Sequence, residues 1–200
     1  MTIPTAKPKQ IAVIAGPTGS GESTITKAII DRCPNAARLV TATTRTPRAG
    51  EEHGKDYYFF SKEDFLQKQQ AGEILEVTYI ENRDTYYGAY GPDLADKLAK
   101  GNIVLVNPDI VGAKFYKERY NATTIFILPG DLNELPARLR ARNPEMSEEE
   151  IAKRYENAVS EVRDERSFYD YEVVNANGKL EDAVLATISI LEKEGYNIHA

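Results

Sequence analysis

The sequence predicts an α/β fold in which a parallel sheet is flanked by helices. Short apolar runs, such as residues 11–15 and 103–106, have the length and composition of buried strands. Segments with apolar residues at helical spacing alternate with these runs, for example residues 22–33 and 180–193. Strands that alternate with helices favour parallel pairing, because each helix carries the chain back across the sheet.

The composition indicates one domain, spanning residues 1–200, of ordinary globular character. Hydrophobic residues make up 42% and charged residues 28%, and the net charge of −6 disfavours nonspecific binding to nucleic acid. Cys33 is the only cysteine, and the two histidines lie far apart in the chain, so neither a disulfide nor a histidine metal cluster is expected. No apolar stretch is long enough to span a membrane, and residues 1–10 lack the apolar segment of a signal peptide. We therefore expect a soluble, cytoplasmic protein.

The remaining elements follow from local patterns. Ser61 and Ser147 are suited to cap the starts of helices, and Pro136 fits only the first turn of one. The predicted strands are residues 39–41, 73–80, 85–91, 123–128 and 169–175, and the predicted helices are residues 61–70, 92–100, 135–142 and 147–163.

A glycine-rich turn joins the first predicted strand to the first predicted helix. The N–H groups of such a turn and the positive end of the helix point at one spot, which suits a phosphate group. The usual pattern, G-x-x-x-x-G-K-[ST], has Glu22 at its lysine position here. The loop comprises Gly16, Pro17, Thr18, Gly19, Ser20, Gly21, Glu22, Ser23 and Thr24. Taken alone, the turn is also open to a second interpretation, a tight connection that binds no ligand.

A polar stretch at residues 41–57 carries two arginines, Arg45 and Arg48, on either side of a proline. Each guanidinium could bind a phosphate through two hydrogen bonds, because its planar fork matches phosphate oxygens. The alternative from these residues alone is a solvated loop. The run T-T-R-T-P-R-A-G-E-x-x-G-K-D-Y, however, resembles the monophosphate-binding signature of guanylate kinases. The resemblance implies that Arg45, Arg48 and Tyr57 hold the phosphate of GMP.

The resemblance extends to the other positions of a GMP site. Glu51 matches a supporting residue, and Thr41 stands where the family has a serine that contacts guanine. Glu76 matches the glutamate that accepts hydrogen bonds from guanine, and its two acceptor oxygens suit the two donors of that base. Two further residues match the family: Tyr87 is the second tyrosine of Y-Y-G-[ST], and Asp109 is the second acid of D-I-D-x-Q-G. Two residues depart from it: Ala89 replaces the hydroxyl residue of the first motif, and Asn107 replaces the first acid of the second motif.

The C-terminal half resembles the family's lid and adenine side. Arg138 and Arg142 lie four residues apart, hence on one helix face, and match R-L-x-x-R. Arg154 fits a further arginine on the next helix, and Asn175 lies where the family places groups near adenine. With Arg45, the three arginines are expected to be catalytic, because they would offset charge on a transferred phosphoryl group. Solvated arginines on an amphipathic helix are the alternative.

The resemblance runs from about Ile11 to Leu191 and implies the fold of P-loop nucleoside monophosphate kinases. The implied parts are a core (10–40, 93–137 and 161–195), an inserted mixed β/α GMP-binding lobe (41–92) and a helical lid (138–160). The implied reaction is in-line phosphorylation of GMP, and of dGMP, by ATP with Mg²⁺. Ser23 is expected to hold the metal, and a separate hypothesis, which the resemblance does not imply, adds Glu22 as a ligand. No nucleic acid or membrane partner is expected, and the protein would be a monomer or a homodimer.

Two alternatives stay open because of the departures from the family pattern. The loss of the loop lysine to Glu22 favours a module that binds GMP or a protein partner but transfers phosphate poorly. Thr41 and Ala89 alter the base pocket and leave room for a kinase of another nucleoside monophosphate.

Overall fold

The computed structural model of the protein describes residues 9–199. The expectation that no signal peptide is present concerns residues that lie mostly outside this range. The strands are β1 (Ile11–Ala15), β2 (Ala36–Arg38), β3 (Ala42–Thr43), β4 (Tyr58–Phe59), β5 (Ile74–Ile80), β6 (Thr85–Tyr90), β7 (Ile103–Val106), β8 (Thr123–Pro129) and β9 (Tyr171–Asn175). The helices are α1 (Glu22–Arg32), α2 (Lys62–Gln70), α3 (Gly91–Ala99), α4 (Ile110–Tyr120), α5 (Leu135–Arg142), α6 (Glu148–Glu165) and α7 (Leu180–Lys193). None of the helices within residues 9–199 has both the length and the apolar composition that a membrane crossing requires.

The larger sheet has five strands in the order β2-β7-β1-β8-β9, and all of its neighbouring strands are parallel. Strand β1 lies at its centre and is buried along its whole length. Apolar side chains of α1 and α7, including Ile25 and Val184, cover one face of this sheet. Side chains of α3 and α4, including Leu94 and Tyr116, cover the other face. The predicted α/β fold class is confirmed.

A second, smaller sheet has the order β4-β3-β6-β5 and mixes parallel and antiparallel pairs. Its strands β5 and β6 form a hairpin, whose turn is a short 3₁₀ helix (Glu81–Arg83) followed by Asp84 in a left-handed conformation. The buried ring of Phe65 fixes helix α2 against this sheet. Since β3 to β6 fall within residues 41–92, the small sheet belongs to the segment predicted as the inserted lobe.

The predicted helix ends are confirmed where capping residues define them. The Ser61 side chain accepts a hydrogen bond from the backbone N–H of Asp64, and the Ser147 side chain accepts one from that of Glu150. Pro136 lies in the first turn of α5, where its missing N–H leaves no helix bond unmade.

The strand predicted at residues 39–41 is wrong, because β2 occupies Ala36–Arg38 instead. The backbone N–H of Leu39 still donates to the carbonyl of Leu105, at 3.1 Å. The next N–H, that of Val40, donates to the Asp93 carboxylate at 2.9 Å and so leaves the sheet. The apolar side chains at 39 and 40 are therefore buried by packing and not by strand pairing.

Candidate active site

The glycine-rich loop lies at the carboxyl end of β1 and leads directly into α1. A hydrogen bond from the Ser20 N–H to the Pro17 carbonyl, at 2.9 Å, closes its turn. Gly21 caps the helix with φ +100°, and a Cβ atom there would lie 2.3 Å from Nδ2 of Asn175. Only glycine satisfies both conditions, since other residues avoid this backbone region. The loop thus has the strand-turn-helix setting that the sequence predicted for it.

The carboxylate of Glu22 makes its contacts within this loop. The Ser20 hydroxyl donates to Oε2 at 3.0 Å, and the Ser23 hydroxyl lies 3.5 Å from Oε1. Burial raises the pKa of Glu161 on α6 to about 7, and the charges of Glu165 and Glu22 add to this rise. Position 22 therefore adds negative charge to the loop region. Lys27, one turn further along α1, pairs with Asp31 at 2.5 Å.

A cavity of about 640 Å³, which we call the P-loop cavity, opens beside this loop. Residues of the loop, of α5 and of the segment after β9 line it, namely Gly19, Gly21–Thr24, Lys27, Arg138, Arg142, Asn175–Gly178 and Leu180. Arg142 is exposed and forms no ion pair within residues 9–199. Its guanidinium is therefore available to an anionic ligand in this cavity.

Arg138 holds the loop to the core of the protein. Its guanidinium donates to the carbonyl oxygens of Gly19 and Ser20, at 3.4 and 3.5 Å, and to that of Asn175, at 2.9 Å. It also pairs with Glu134 at 3.0 Å. The side-chain amide of Asn175 in turn donates to the Ser20 carbonyl at 2.7 Å. Both side chains therefore fix the loop backbone.

Asn107 connects this loop to the rest of the site. Its Nδ2 donates to the carbonyl of Ile14, at 2.7 Å, and to the hydroxyl of Thr26, at 2.9 Å. These partners lie on either side of the loop, and Asn107 itself lines a second cavity. A carboxylate at this position could not donate to the Ile14 carbonyl, so the amide suits its surroundings.

The second cavity, the lobe cavity, has a volume of about 380 Å³ and lies between the small sheet and the start of α4. Five of the predicted GMP-binding residues line it: Thr41, Tyr57, Glu76, Tyr87 and Asp109. The structure therefore brings together residues that span almost 70 positions of the sequence, as the resemblance implied.

Glu76 is a partly buried acid on the wall of the lobe cavity. Burial raises its pKa to about 7, with a further contribution from the charge of Asp109, while the Thr78 hydroxyl opposes the rise. A Cβ atom on Gly112 would lie 3.2 Å from Oε1 of Glu76, so glycine at this position lets the carboxylate approach helix α4 closely. Burial also raises the pKa of Tyr116, and the charge of Glu76 adds to this rise.

Asp109 begins helix α4 and faces Glu76 across a hydroxyl group. Its Oδ1 accepts from the backbone N–H of Gly112 at 3.0 Å, and its Oδ2 accepts from the Thr78 hydroxyl at 3.1 Å. Thr78 was not among the predicted site residues. Its position two residues after Glu76 on a strand, hence on the same face, is a signal that could have found it. Ala89, which stands where the family has a hydroxyl residue, is fully buried in the core against residues such as Leu94.

The phosphate-binding stretch is organised around Arg45. Its guanidinium pairs with Glu51 at 2.9 Å and lies over the ring of Tyr57, 5.3 Å from the centroid. The bond with Glu51 raises the pKa of Arg45 and lowers that of Glu51. Glu51 also accepts from the backbone N–H of Arg48 at 2.7 Å, while the Arg48 side chain is exposed. Arg45 is thus held against Tyr57, a wall residue of the lobe cavity, while Arg48 is exposed to solvent.

Comparisons with known proteins agree with this geometry. The family model described as guanylate kinase matches residues 8–194. The chain belongs to the guanylate kinase family. Guanylate kinase from Rhodopirellula baltica is 36% identical over 190 residues, covering 94% of this chain and 89% of that protein. Guanylate kinase from Thermosynechococcus vestitus is 40% identical over 187 residues, covering 93% and 95%.

A solved structure supports the same assignment. The crystal structure of guanylate kinase from Anaplasma phagocytophilum superposes with a TM-score of 0.70 at 29% identity, covering 95% of this chain and 88% of that one. The predicted family, the P-loop nucleoside monophosphate kinase fold and the enzyme class, a nucleoside monophosphate kinase, are confirmed.

Arg154, the last of the predicted catalytic arginines of this guanylate kinase-like site, lies on helix α6. It pairs with Glu150 at 2.7 Å within α6 and lines neither the P-loop cavity nor the lobe cavity. Arg138 and Arg142 share the P-loop cavity, so the structure brings together two of the three arginines expected to converge.

Proposed function

We propose that the protein transfers the γ-phosphoryl group of ATP to GMP, and also to dGMP, by in-line displacement. The observation that carries the proposal is the Glu76 carboxylate in the wall of the lobe cavity, with Thr41, Tyr57 and Tyr87 around the same space. The ionised carboxylate offers two acceptors for the N1–H and amino donors of guanine, whereas adenine would leave them poorly paired. The lobe cavity would therefore hold the acceptor base.

The acceptor phosphate would bind at Arg45, Arg48 and Tyr57. Arg45 is already held in place by Glu51 and by the Tyr57 ring, so little side-chain entropy would be lost when it binds. The exposed Arg48 would complete the site by turning inward. A phosphate bound here would lie beside the lobe cavity that holds its base.

ATP would bind at the P-loop cavity, with its phosphates against the loop N–H groups and the start of α1. Asn107 lines the lobe cavity and bonds to both sides of the loop, so the two substrates would meet at the carboxyl ends of β1 and β7.

Magnesium would enter with ATP, and the loop has suitable donors for it. Within residues 9–199, no group of three or more histidine, cysteine, aspartate or glutamate side chains is arranged to hold a metal by itself. The Ser23 hydroxyl and the Glu22 carboxylate are hard oxygen donors 3.5 Å apart, which fits a cation that takes most of its other ligands from phosphates and water. Mg²⁺ would supply charge neutralisation at the transferred phosphoryl group.

The arginines would divide two tasks between them. Arg138 would keep the loop in its phosphate-binding shape through the Gly19 and Ser20 carbonyls. Arg142 would contact the transferred phosphoryl group, and Arg154 would join it once the lid (residues 138–160) closes and the Glu150 pair opens. The arginine charges would offset that of Glu22. The enzyme would act on free nucleotides in the cytoplasm, as a monomer or a homodimer.

A coupled assay with ATP, Mg²⁺ and each of GMP, dGMP, AMP and UMP tests the proposal. We expect turnover with GMP and dGMP and little with AMP or UMP. Arg45→Ala is the control for background ATP hydrolysis. GMP turnover no higher than in this control would refute the proposed reaction.

The presence of Glu22 favours one further candidate function, that of a module that binds GMP or a protein partner without efficient phosphoryl transfer. It places a carboxylate where the pattern has a phosphate-binding lysine. GMP binding measured by calorimetry, without turnover in the assay above, is the result that would favour this candidate. Turnover with another monophosphate would instead favour a different acceptor.

A further inference from the structure

The wall of the lobe cavity contains two carboxylates and one hydroxyl between them. The Thr78 hydroxyl is 3.1 Å from Oδ2 of Asp109 and 3.5 Å from Oε1 of Glu76. A hydroxyl carries a single proton, so it donates to one of these acids at a time. In the structure, the shorter contact shows that it donates to Asp109.

The two acids differ in how they are stabilised. Asp109 is exposed to solvent and accepts a second hydrogen bond from the Gly112 N–H at 3.0 Å. The Glu76 carboxylate is partly buried against helix α4, and within residues 9–199 the Thr78 hydroxyl, 3.5 Å away, is the one donor within its reach. The ionised form of Glu76 is therefore the less well supported of the two.

The groups that face Glu76 come from each element around it. Asp109 and Tyr116 lie on or at the start of α4, Thr78 lies on β5, and Tyr57 and Tyr87 line the same cavity. Asp109 opposes ionisation of Glu76 and Thr78 favours it. Among residues 9–199 no cationic side chain lines this cavity, and of the hydroxyl groups around it that of Thr78 is the one within hydrogen-bond distance of Glu76.

We propose that Thr78 is a positioning residue of the base pocket, whose hydroxyl turns from Asp109 to Glu76 when Glu76 ionises and so holds the carboxylate ready for a guanine nucleotide. The inference rests on the proposed function, since it assumes a base with two donors opposite Glu76. Each carboxylate oxygen has two lone pairs, so Glu76 can accept from Thr78 and from the base together. The proton that Glu76 loses on ionisation goes to solvent, and the Thr78 proton stays on its hydroxyl.

The inference predicts how the pH dependence of GMP binding changes when the hydroxyl is removed. Thr78→Val keeps the shape of the side chain but loses the donor. A lost hydrogen bond to a charged group should raise the pKa of Glu76 by about one unit. If GMP needs ionised Glu76, its Kd should then be about fivefold weaker than in the wild type at pH 7 and about 1.3-fold weaker at pH 8.5.

Calorimetric titration with GMP from pH 6 to 8.5 measures this ratio without requiring catalysis. The titration of the nucleotide's own phosphate is common to both proteins and cancels in the ratio. Thr78→Ser restores the donor and should return the profile to that of the wild type. Asp109→Asn removes the competing acid and should move the midpoint to lower pH, which tests the inference even where the valine variant folds poorly.

The outcomes separate the inference from the proposed function. The expected result is that the GMP Kd of Thr78→Val, divided by that of the wild type, declines as pH rises. The Thr78→Ser variant should restore the wild-type profile. A ratio that is constant across pH would overturn the inference and leave the proposed function standing, because a merely structural residue weakens binding equally at every pH. A wild-type protein that binds no GMP at any pH would overturn the proposed function itself.

Discussion

Replacing Glu22 by glutamine tests how this kinase works without the loop lysine. The carboxylate of Glu22 accepts from Ser20 at 3.0 Å and lies 3.5 Å from the Ser23 hydroxyl. Glutamine keeps the shape and one acceptor oxygen but removes the charge. If Glu22 helps to hold Mg²⁺, the variant should need more of the metal. If Glu22 only repels phosphate, the variant should simply bind ATP better.

Two opposing effects set the expected magnitude. Losing a carboxylate from the surroundings of a metal typically lowers its affinity by about 10- to 100-fold. Relief of repulsion between Glu22 and a phosphate is worth about 1 kcal/mol at contact distance in a water-like medium, or about fivefold in ATP affinity. The water-like value applies because Glu22 is partly exposed to solvent.

The assay is a Mg²⁺ titration of the initial rate at saturating GMP and fixed ATP. We expect Glu22→Gln to raise the half-saturating Mg²⁺ concentration at least about tenfold, and to lower the KM for ATP by up to about fivefold once Mg²⁺ saturates. The control is Glu63→Gln, which removes an exposed carboxylate from the first turn of α2, outside both cavities. An unchanged Mg²⁺ requirement in Glu22→Gln, or higher activity of Glu22→Lys at every Mg²⁺ concentration, would refute the reasoning.

Three further predictions follow from the site geometry. Glu76→Gln should raise the KM for GMP about 100-fold, because two hydrogen bonds to a charged acceptor are worth about 3 kcal/mol, and steady-state kinetics would measure it. Since the pKa of Glu161 is raised to about 7, the folded protein binds more protons than the unfolded chain between pH 4.5 and 7 and loses stability as pH rises through that window. The Tm gain of Glu161→Gln over the wild type should therefore be larger at pH 8 than at pH 5, and an equal gain would count against it. Arg138→Ala should lower the free energy of unfolding by about 2 kcal/mol and Tm by about 5 °C, because Arg138 holds the loop. Arg142→Ala should reduce kcat and leave Tm unchanged. Equal Tm losses in calorimetry would contradict these separate roles of the two arginines.

Much of the fold could be predicted because local chemistry decides it. The bounds of α5 and α7 agree with the predicted ones, since a proline in the first turn and apolar spacing mark them. Strand β2 was missed because its three residues, Ala36–Arg38, carry little strand preference and pair only through their register with β7. The apolar residues after it, Leu39 and Val40, are buried, but their apolar character predicts burial and not strand pairing.

The site could be predicted where residue type and spacing are specific. A match to long family motifs identified Glu76, Tyr57 and Tyr87, and the structure shows that all three line one cavity. Thr78 lies in the site through a hydrogen bond to Asp109 that its residue type does not predict, since threonine is common in strands.

Arg138 is a residue whose position the sequence predicts but whose contacts it does not. Its place on the helix was predicted, but its bonds to the Gly19 and Ser20 carbonyls depend on how α5 packs against the loop. Spacing along a helix shows which side chains share a face and gives no information about what lies opposite.

The central claim is phosphoryl transfer from ATP to GMP at a loop that carries Glu22. Product analysis by chromatography tests it most directly: the protein is incubated with ATP, Mg²⁺ and GMP, and ADP and GDP are quantified together. Equal amounts of ADP and GDP, with both lost in Arg45→Ala, are the predicted result. ADP without GDP, or neither product, would contradict the account.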